Sequence, residues 1–369
     1  MDKKKICFIA QFPPPIHGLS KAVDTLYNSS LKEEFEFEKN DITNNKYFLK
    51  SILAIMISDA DLFYFTISQT IGGNLRDLMI LKLLEIRKKK CLVHLHGGYY
   101  RKLVDEEMYN WQKKANYKAI KKLSGAIVLG PTLKYIFEGM IPDERIFTVP
   151  NCVDDEYLIS DKDLKRKKDS SKKNKIKHVL FLSNFIKEKG YQKVLELVKL
   201  EKERCDLGGE QKLYFDFAGC FFEKNDKIIF EKFIVENKLE NFITYHGVVS
   251  GDKKRELLRK GDFFILLTSY KKEGQPISIL EAMGNGMFIV ATRHAGIPDI
   301  VIDGVNGMVV EKEHNILDIY NRIIHNNDLM LVQEKNVCMA KEFYDEKNYI
   351  KNMRNVFEKI YNSGSKIIK

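Results

Sequence analysis

The sequence predicts an α/β protein with two doubly wound parallel sheets, and three observations lead to this prediction. Short apolar runs alternate with amphipathic stretches in both halves of the chain, a pattern typical of strands joined by crossover helices. A polar and mostly basic segment, residues 160–177, interrupts the alternation. At 369 residues, the chain is too long for one ordinary core and suits two domains.

The first half contains four apolar runs with the length and composition of buried parallel strands. Amphipathic stretches separate these runs, and helices are predicted over residues 20–31 and 74–88. The predicted strands cover residues 6–10, 62–65, 91–95 and 125–129. We therefore predict an N-terminal Rossmann-like domain over residues 1–157.

The second half repeats this pattern after an exposed linker or loop that we predict over residues 158–177. A second Rossmann-like domain is predicted over residues 178–344, and the final stretch, 345–369, begins with an amphipathic helix pattern. The predicted strands cover residues 178–183, 214–218, 242–246 and 262–267, and the predicted helices 191–200, 226–237 and 253–259.

Two carboxylates stand eight positions apart in the run from Glu273 to Glu281. The first lies on a predicted strand-to-helix loop. The second lies about one and a half turns into the helix, since a helix repeats about every 3.6 residues. The N-terminus of a helix favours an anion such as a phosphate, and carboxylates bind the hydroxyls of sugars and ribose. This combination points to a nucleotide-sugar as the ligand.

This run resembles the E-x7-E signature of retaining glycosyltransferases with the GT-B fold, in particular family 4 (glycosyl transferases group 1). The similarity continues through residues 286–307. The resemblance implies two Rossmann-like domains facing a central cleft, with the acceptor on the N-terminal domain and the nucleotide-sugar on the C-terminal one. It also implies a last helix, within 345–369, that crosses back to the N-terminal domain.

The resemblance assigns roles to the residues of the run. Glu273 would hold hydroxyls of the transferred sugar, and Glu281 would bind the ribose diol. Backbone N–H groups beside Pro276, which has none to donate, would face the sugar and phosphate. The donor-binding residues implied in this run are Glu273, Gly274, Gln275, Pro276, Ile277 and Glu281.

Two segments of the first half match the family residue by residue. Residues 13–20 resemble the loop whose glycine lies against the donor diphosphate; here the loop carries His17 and Gly18, where related chains often have two glycines. Residues 93–98 follow a predicted strand and place His96 where the family has an imidazole near the transferred sugar.

Residues 182–190 resemble the loop in which an arginine and a lysine clamp the diphosphate as the leaving group develops charge. Lys189 matches the lysine, but Asn184 stands where arginine is usual and adds no charge. Lys187 and Arg293 are candidate replacements for that cation. The resemblance thus implies His96, Lys189 and Glu273 as the catalytic residues.

The implied reaction is transfer of a hexose from a nucleotide-sugar, with retention and without a metal or other cofactor. We expect a UDP-sugar, because UDP is the commonest carrier, and a glycan or lipid-linked glycan acceptor in bacterial surface polysaccharide synthesis (capsule, lipopolysaccharide or exopolysaccharide). Two alternatives stay open: an epimerase-like enzyme acting on nucleotide-sugars, and a non-catalytic accessory subunit of a partner transferase, which the asparagine at position 184 would suit.

The composition bears on partners and compartment. The net charge of +10 reflects either a lysine-rich composition or attraction to polyanions such as nucleotide-sugars or an anionic membrane face. No recognised nucleic-acid-binding module occurs, so we expect no nucleic acid partner. The six scattered cysteines indicate reduced thiols, and we expect a cytoplasmic protein without a transmembrane helix.

Basic and aromatic residues mix over residues 99–122, which contain the single tryptophan, Trp111. Such a stretch is typical either of a solvated basic helix or of a helix that lies on an anionic membrane surface. Peripheral contact with the cytoplasmic membrane is therefore a further hypothesis.

Overall fold

A computed structural model describes residues 3–15, 18–326 and 328–362, whose contacts form two units. The first unit comprises Met1–Cys152, Lys272–Gln275 and Glu346–Lys369, and the second comprises Val153–Lys271 and Pro276–Asp345. Each contains a six-stranded parallel sheet with helices. This arrangement confirms the predicted α/β class with two doubly wound sheets.

The sheet of the first unit has the strand order β2-β1-β3-β4-β5-β6. Its strands are β1 (Lys4–Ala10), β2 (Phe35–Asp41), β3 (Leu62–Thr66), β4 (Lys90–His94), β5 (Gly125–Val128) and β6 (Ile146–Thr148). The order reverses between β1 and β3, because the chain first moves outward to β2 and then returns. The sequence prediction missed β2, an edge strand whose half-exposed residues alternate Phe and Glu.

Helices cover both faces of this sheet. They are α1 (Gly18–Tyr27), α2 (Phe48–Ile57), α3 (Ile71–Ile86), α4 (Tyr100–Lys102), α5 (Asn110–Ile120) and, from the end of the chain, α13 (Glu346–Asn362). The first and last of these pack on one face around Phe8, Tyr64 and Phe357. Strands β2 to β5 advance in one direction, so right-handed connections place α2, α3 and α5 side by side on the opposite face.

The sheet of the second unit has the order β12-β11-β10-β7-β8-β9. Its strands are β7 (Lys177–Leu182), β8 (Leu213–Ala218), β9 (Ile243–Tyr245), β10 (Phe263–Leu266), β11 (Phe288–Thr292) and β12 (Gly307–Val310). Its helices are α6 (Asp161–Lys173), α7 (Tyr191–Asp206), α8 (Lys224–Glu236), α9 (Gly251–Lys260), α10 (Ile277–Gly284), α11 (Ile316–Ile324) and α12 (Leu329–Phe343). The strand order reverses between β7 and β10, and such a reversal is where open α/β sheets bind ligands.

Helix α6 corrects the predicted linker, since most of residues 158–177 are helical. Ser160 caps the helix by accepting a hydrogen bond from the Asp163 N–H (3.1 Å). The inward side chains are polar: Lys167 donates to the Asn285 carbonyl (2.6 Å), and Ser171 donates to Asp262 (2.8 Å). Because polar rather than apolar groups hold this helix, the segment shows no hydrophobic periodicity.

None of the described helices has both the length and the hydrophobicity needed to cross a lipid bilayer.

Candidate active site

In the second unit, the loops that follow β7 and β10 are tied together at the point of strand-order reversal. The Glu188 carbonyl accepts hydrogen bonds from the Ser269 N–H (2.6 Å) and the Thr268 hydroxyl (3.3 Å). Gly190 has a φ of 84°, and a Cβ there would lie 2.4 Å from the Leu267 carbonyl oxygen. Only glycine combines this backbone conformation with so close an approach.

A buried aromatic side chain fixes the first of these loops. Phe185 is fully buried, with its ring centroid 4.2 Å from that of Phe221 and 5.4 Å from that of Phe181. Its N–H donates to the Cys220 carbonyl (2.8 Å). The neighbouring Asn184 is exposed. The loop is therefore anchored by Phe185 and presents the amide of Asn184 outward.

Lys189, predicted to clamp the diphosphate, lies where these two loops meet. Its Nζ is 5.0 Å from the centroid of the Tyr270 ring, which holds the ammonium group near the carboxyl end of β10 by a cation–π contact. Of the two candidate replacements for the missing arginine, Lys187 is exposed on the same turn. Arg293 instead forms an ion pair with Glu311 (2.7 Å), so its charge is already matched.

Helix α10 begins after Pro276 and carries Glu281. The Glu281 carboxylate is buried and pairs with the Lys254 ammonium (2.6 Å). That ammonium also lies 4.3 Å from the centroid of the Tyr157 ring. The second unit thus contains the N-terminus of α10 and, on the loop after the neighbouring strand β7, Lys189. It also contains Glu281, whose carboxylate is held by the Lys254 ammonium.

The segment Lys272–Gln275, which the sequence placed in the domain 178–344, instead has its contacts with the first unit. The Gly98 N–H donates to the Glu273 carbonyl (2.6 Å). A Cβ on Gly274 would lie 2.5 Å from the His96 carbonyl oxygen. A Cβ on Gly97 would likewise lie 2.7 Å from the Lys272 carbonyl oxygen, so Gly97 and Gly274 let the backbone of this segment lie directly against the loop after β4.

The side chain of Gln275 is buried in hydrogen bonds. Its Oε1 accepts from the Asn151 N–H (2.8 Å), its Nε2 donates to the Leu129 carbonyl (3.3 Å), and its own carbonyl accepts from Asn151 Nδ2 (2.9 Å). Glu273 is also buried. The amide of Gln275 thus fixes the segment that carries Glu273, a role that the sequence did not indicate.

His96 lies against a second, deeper histidine. The ring centroids of His94 and His96 are 3.9 Å apart with an interplanar angle of 31°. His94 is fully buried, and its Nδ1 lies 2.7 Å from the Tyr64 hydroxyl. Burial, assisted by the neighbouring His96, holds the pKa of His94 well below its usual value, so His94 is neutral at pH 7. His96 therefore stacks on an uncharged ring.

Burial also raises the pKa of Tyr64, so its hydroxyl keeps its proton. When that hydroxyl donates to His94 Nδ1, the proton of the His94 ring lies on Nε2. His94 Nε2 is buried and has no hydrogen-bond partner among the described residues. His94 is thus held from one side, by Tyr64, and packs against His96 on the other.

Gly18 is the exposed first residue of α1. The loop before it is closed by Ser20, whose hydroxyl donates to the Pro15 carbonyl (2.8 Å). His17 lies outside the described residues. The loop that follows β1 therefore leads to the N-terminus of α1, the first helix after that strand.

The structure sorts the predicted site residues between the units. The first unit brings the Glu273–Gln275 segment onto the His96 loop. The second unit places Asn184 and Lys189 after β7, and Glu281 on α10, which follows the neighbouring strand β10. Sequence reasoning missed Lys254, Tyr270 and Asn151. Asn151 lies in a segment, 146–154, that resembles the family's end of the N-terminal domain, but no role was assigned to it. Only the fold places the three residues against predicted site residues.

Comparison with known proteins gives a family match and several relatives. Residues 161–339 match the sequence model of the family described as glycosyl transferases group 1. An uncharacterized glycosyltransferase of Methanocaldococcus jannaschii is 29% identical over 289 residues, which cover 74% of this chain and 70% of that protein. An uncharacterized 41.2 kDa protein in the cps region of Klebsiella pneumoniae is 24% identical over 302 residues, covering 79% of this chain and 76% of that protein.

Among solved structures, Anabaena HepE in complex with UDP and glucose matches with a TM-score of 0.70 at 15% identity. The match covers 96% of this chain and 100% of HepE. At this level of identity the similarity shows the fold, and it confirms the predicted GT-B architecture.

Proposed function

We propose that the chain is a retaining, metal-independent hexosyltransferase. The family match and the relatives support the coarser statement that it is a GT-B glycosyltransferase. The donor would be a nucleotide-sugar, with UDP as the expected nucleotide because HepE, with the same fold, was solved with UDP and glucose. The acceptor would be a glycan or lipid-linked glycan of bacterial surface polysaccharide. The relative encoded in a cps region supports this setting.

One observation carries the proposal: the second unit concentrates groups suited to a nucleoside diphosphate at its strand-order reversal. The N-terminus of α10 has no side-chain cap from Pro276 and carries the positive end of a helix dipole. Lys189 supplies a full positive charge on the adjoining loop, and Glu281 supplies a carboxylate for the ribose diol. A bound diphosphate would thus contact the Lys189 ammonium and the helix N-terminus, and the ribose hydroxyls would donate hydrogen bonds to the Glu281 carboxylate.

The proposed mechanism depends on the leaving group. As the bond from the anomeric carbon to the diphosphate oxygen breaks, negative charge grows on the diphosphate, and Lys189 together with the α10 N-terminus would stabilise it. The acceptor hydroxyl would form the new glycosidic bond on the same face of the sugar and pass its proton to the departing diphosphate. Glu273 would orient the transferred sugar through its hydroxyls, and the Gly18 loop would contact the diphosphate.

His96 would contact the transferred sugar or position the acceptor. Its neighbour His94 is neutral, so the two rings pack closely with no positive charge on His94. We propose a cytoplasmic protein with peripheral membrane contact, which would bring it to a lipid-linked acceptor.

The experiment is a thermal-stability series with UDP, GDP, ADP and their common sugar conjugates, with and without EDTA. A ligand that binds only the native state raises the melting temperature, so one nucleotide should stabilise the protein selectively, with EDTA present, and Glu281→Ala should abolish the shift. No shift with any nucleotide would overturn the proposal and favour the accessory subunit. Conversion of the sugar without any acceptor would favour the epimerase-like enzyme.

A further inference from the structure

Helix α2 presents large apolar side chains to solvent along one side. Leu49, Leu53, Met56 and Ile57 are 77%, 60%, 51% and 83% exposed. Their spacing of four, three and one residues places them on a single face of the helix. A surface helix of a globular protein ordinarily turns such a face toward the core, so this face needs another partner.

Polar contacts, not these side chains, attach α2 to the first unit. Asn40 Nδ2 donates to the carbonyl of Ser51, which faces inward and is buried (3.0 Å). Arg87, which directly follows α3, donates to the carbonyls of Ile55 and Ser58 at the end of α2. The inward side of the helix also buries Ile55, which is 0% exposed, so α2 is apolar on both sides. Its outward apolar side chains are not needed to hold it in place.

The two helices beside α2 on the same face of the sheet extend the apolar surface. Helix α3 exposes Leu75, Met79 and Ile86, at spacings of four and seven residues, which keep them on one side. Helix α5 exposes Trp111, which is 59% exposed. We call the outward side chains of α2, α3 and α5 the apolar face.

The charges on α2 and α5 are positive, and on α3 the carboxylate of Glu85 is paired with Lys82 (2.9 Å). Between Ile42 and Ser58 the sequence has Lys46 and Lys50 and no aspartate or glutamate, and both lysines are exposed. Helix α5 likewise has no acidic residue and exposes Lys114 and Lys118. A surface that combines large apolar side chains with lysines complements the acyl chains and headgroups of anionic lipids. Two copies facing each other would place like charges together.

We propose that the apolar face docks on an anionic lipid bilayer, with α2 lying in the plane of the membrane at the boundary of headgroups and acyl chains. This inference rests on the proposed function for one point only: docking would bring the first unit to a lipid-linked acceptor. The membrane contact is assigned chiefly to α2 and α3, in addition to the basic stretch of residues 99–122 considered from the sequence.

The test uses the full chain and vesicles of phosphatidylcholine, with and without phosphatidylglycerol, in a flotation assay. We expect binding to the vesicles that contain phosphatidylglycerol and much weaker binding to phosphatidylcholine alone. Because Trp111 is the single tryptophan, its emission reports on this face alone. The emission should move to shorter wavelength when the vesicles bind, and lipids brominated in the acyl chains should quench it.

Variants assign the binding to the face. The double variant Leu53→Gln and Met56→Gln should lower vesicle partitioning by about tenfold or more, since each removes apolar area from the contact. The matched control is Leu331→Gln on α12 in the second unit, where the leucine is 75% exposed; it should partition like the wild type. Lys50→Gln should weaken binding only to the anionic vesicles, with Lys335→Gln on α12 as its control.

Nucleotide-induced thermal stabilisation of the same variants separates this inference from the proposed function, because α2 carries no predicted donor-binding residue. Normal stabilisation with lost vesicle binding supports the docking surface. Three results would overturn it: no binding of the wild type to anionic vesicles, equal binding of the α2 double variant, or a lipid-free dimer that the double variant converts to monomer. The last result would make the face an interface between two copies.

Discussion

The two units share one architecture but place their polar and apolar groups differently. In the second unit, an ion pair joins Lys254 and Glu281. The backbone carbonyl of Glu188 accepts a hydrogen bond from Ser269 and so joins the loops after β7 and β10. In the first unit, α2 turns its leucines to solvent, and the buried His94 keeps a ring nitrogen without a partner among the described residues. The same layers of strands and helices therefore carry a paired carboxylate and joined loops in the second unit and an exposed apolar helix side in the first.

The family match follows this difference, since residues 161–339 fall almost entirely within the second unit. Where charged side chains are paired and backbones approach closely, particular residues are needed at particular positions, and these can be recognised in the sequence as a motif. An apolar surface requires only a residue class at helical spacing. The following predictions test whether the second unit holds the fixed donor site and whether the first unit depends on its buried histidine.

The largest expected effect is that of Lys189→Ala. Removing the charge that would stabilise the leaving diphosphate should lower kcat by about 100- to 1,000-fold while the circular dichroism spectrum stays unchanged. The exposed Lys187 on the same turn supplies the control: Lys187→Ala should keep most of the activity. Turnover like that of the wild type in Lys189→Ala would refute the assignment.

In the first unit, Glu273→Ala tests the predicted catalytic carboxylate. Its loss should reduce transfer by a similar factor, because the sugar loses a hydroxyl partner, whereas nucleotide binding should persist. Measuring nucleotide-induced thermal stabilisation and transfer on the same sample separates these outcomes. Retained transfer would leave the buried Glu273 with a structural role only.

Gly190→Ala should destabilise the second unit by about 3 kcal/mol or more, because alanine adopts a positive φ poorly and its Cβ would press on the Leu267 carbonyl. Gly208 has a φ of 90°, and a Cβ added there would meet no atom within 4 Å. Gly208→Ala therefore isolates the backbone cost, about 1 kcal/mol. Denaturant unfolding measures both. Equal costs would show that the two loops are not in close contact.

Lys254→Met should lower the free energy of unfolding by about 2 kcal/mol, because it leaves the buried Glu281 carboxylate without its cation. Adding Glu281→Gln in the same chain should recover part of that loss, which a double-mutant cycle measures. Lys253→Met, at an exposed neighbour in α9, should have little effect. Additive effects of the two substitutions would show that the ion pair contributes nothing.

The smallest expected effect concerns pH. Burial keeps the pKa of His94 well below 6.5, so below that pH the unfolded chain binds a proton that the native state does not. The free energy of unfolding should therefore fall as pH drops from about 7 to about 5.5, with His94 contributing about 1 kcal/mol. His94→Phe should remove that contribution. An unchanged pH slope, or titration of the native His94 ring near its usual pKa by NMR, would contradict it.

Four strands of each sheet were readable because buried parallel strands are continuous apolar runs. The strands β2, β6, β11 and β12 were not among those predicted, although β11 and β12 are buried. For α6 and β2, the packing is polar or half-exposed. Helix α6 rests on Lys167 and Ser171, and β2 alternates Phe with Glu at an edge, so neither shows the periodicity of a buried element. Burial lowers the pKa of Lys167 to about 8, and nothing in the sequence alone indicates that this lysine is buried.

The sequence by itself determined the α/β class, the two sheets and the motif residues Glu273, Glu281, Lys189 and His96, because these depend on local periodicity and on spacing along the chain. Only the tertiary structure decided the partners of those residues: Lys254 for Glu281, Tyr270 for Lys189 and His94 for His96. It also decided which side of α2 faces the sheet. Such contacts join residues far apart in sequence, and their energies depend on burial and geometry that no local pattern records.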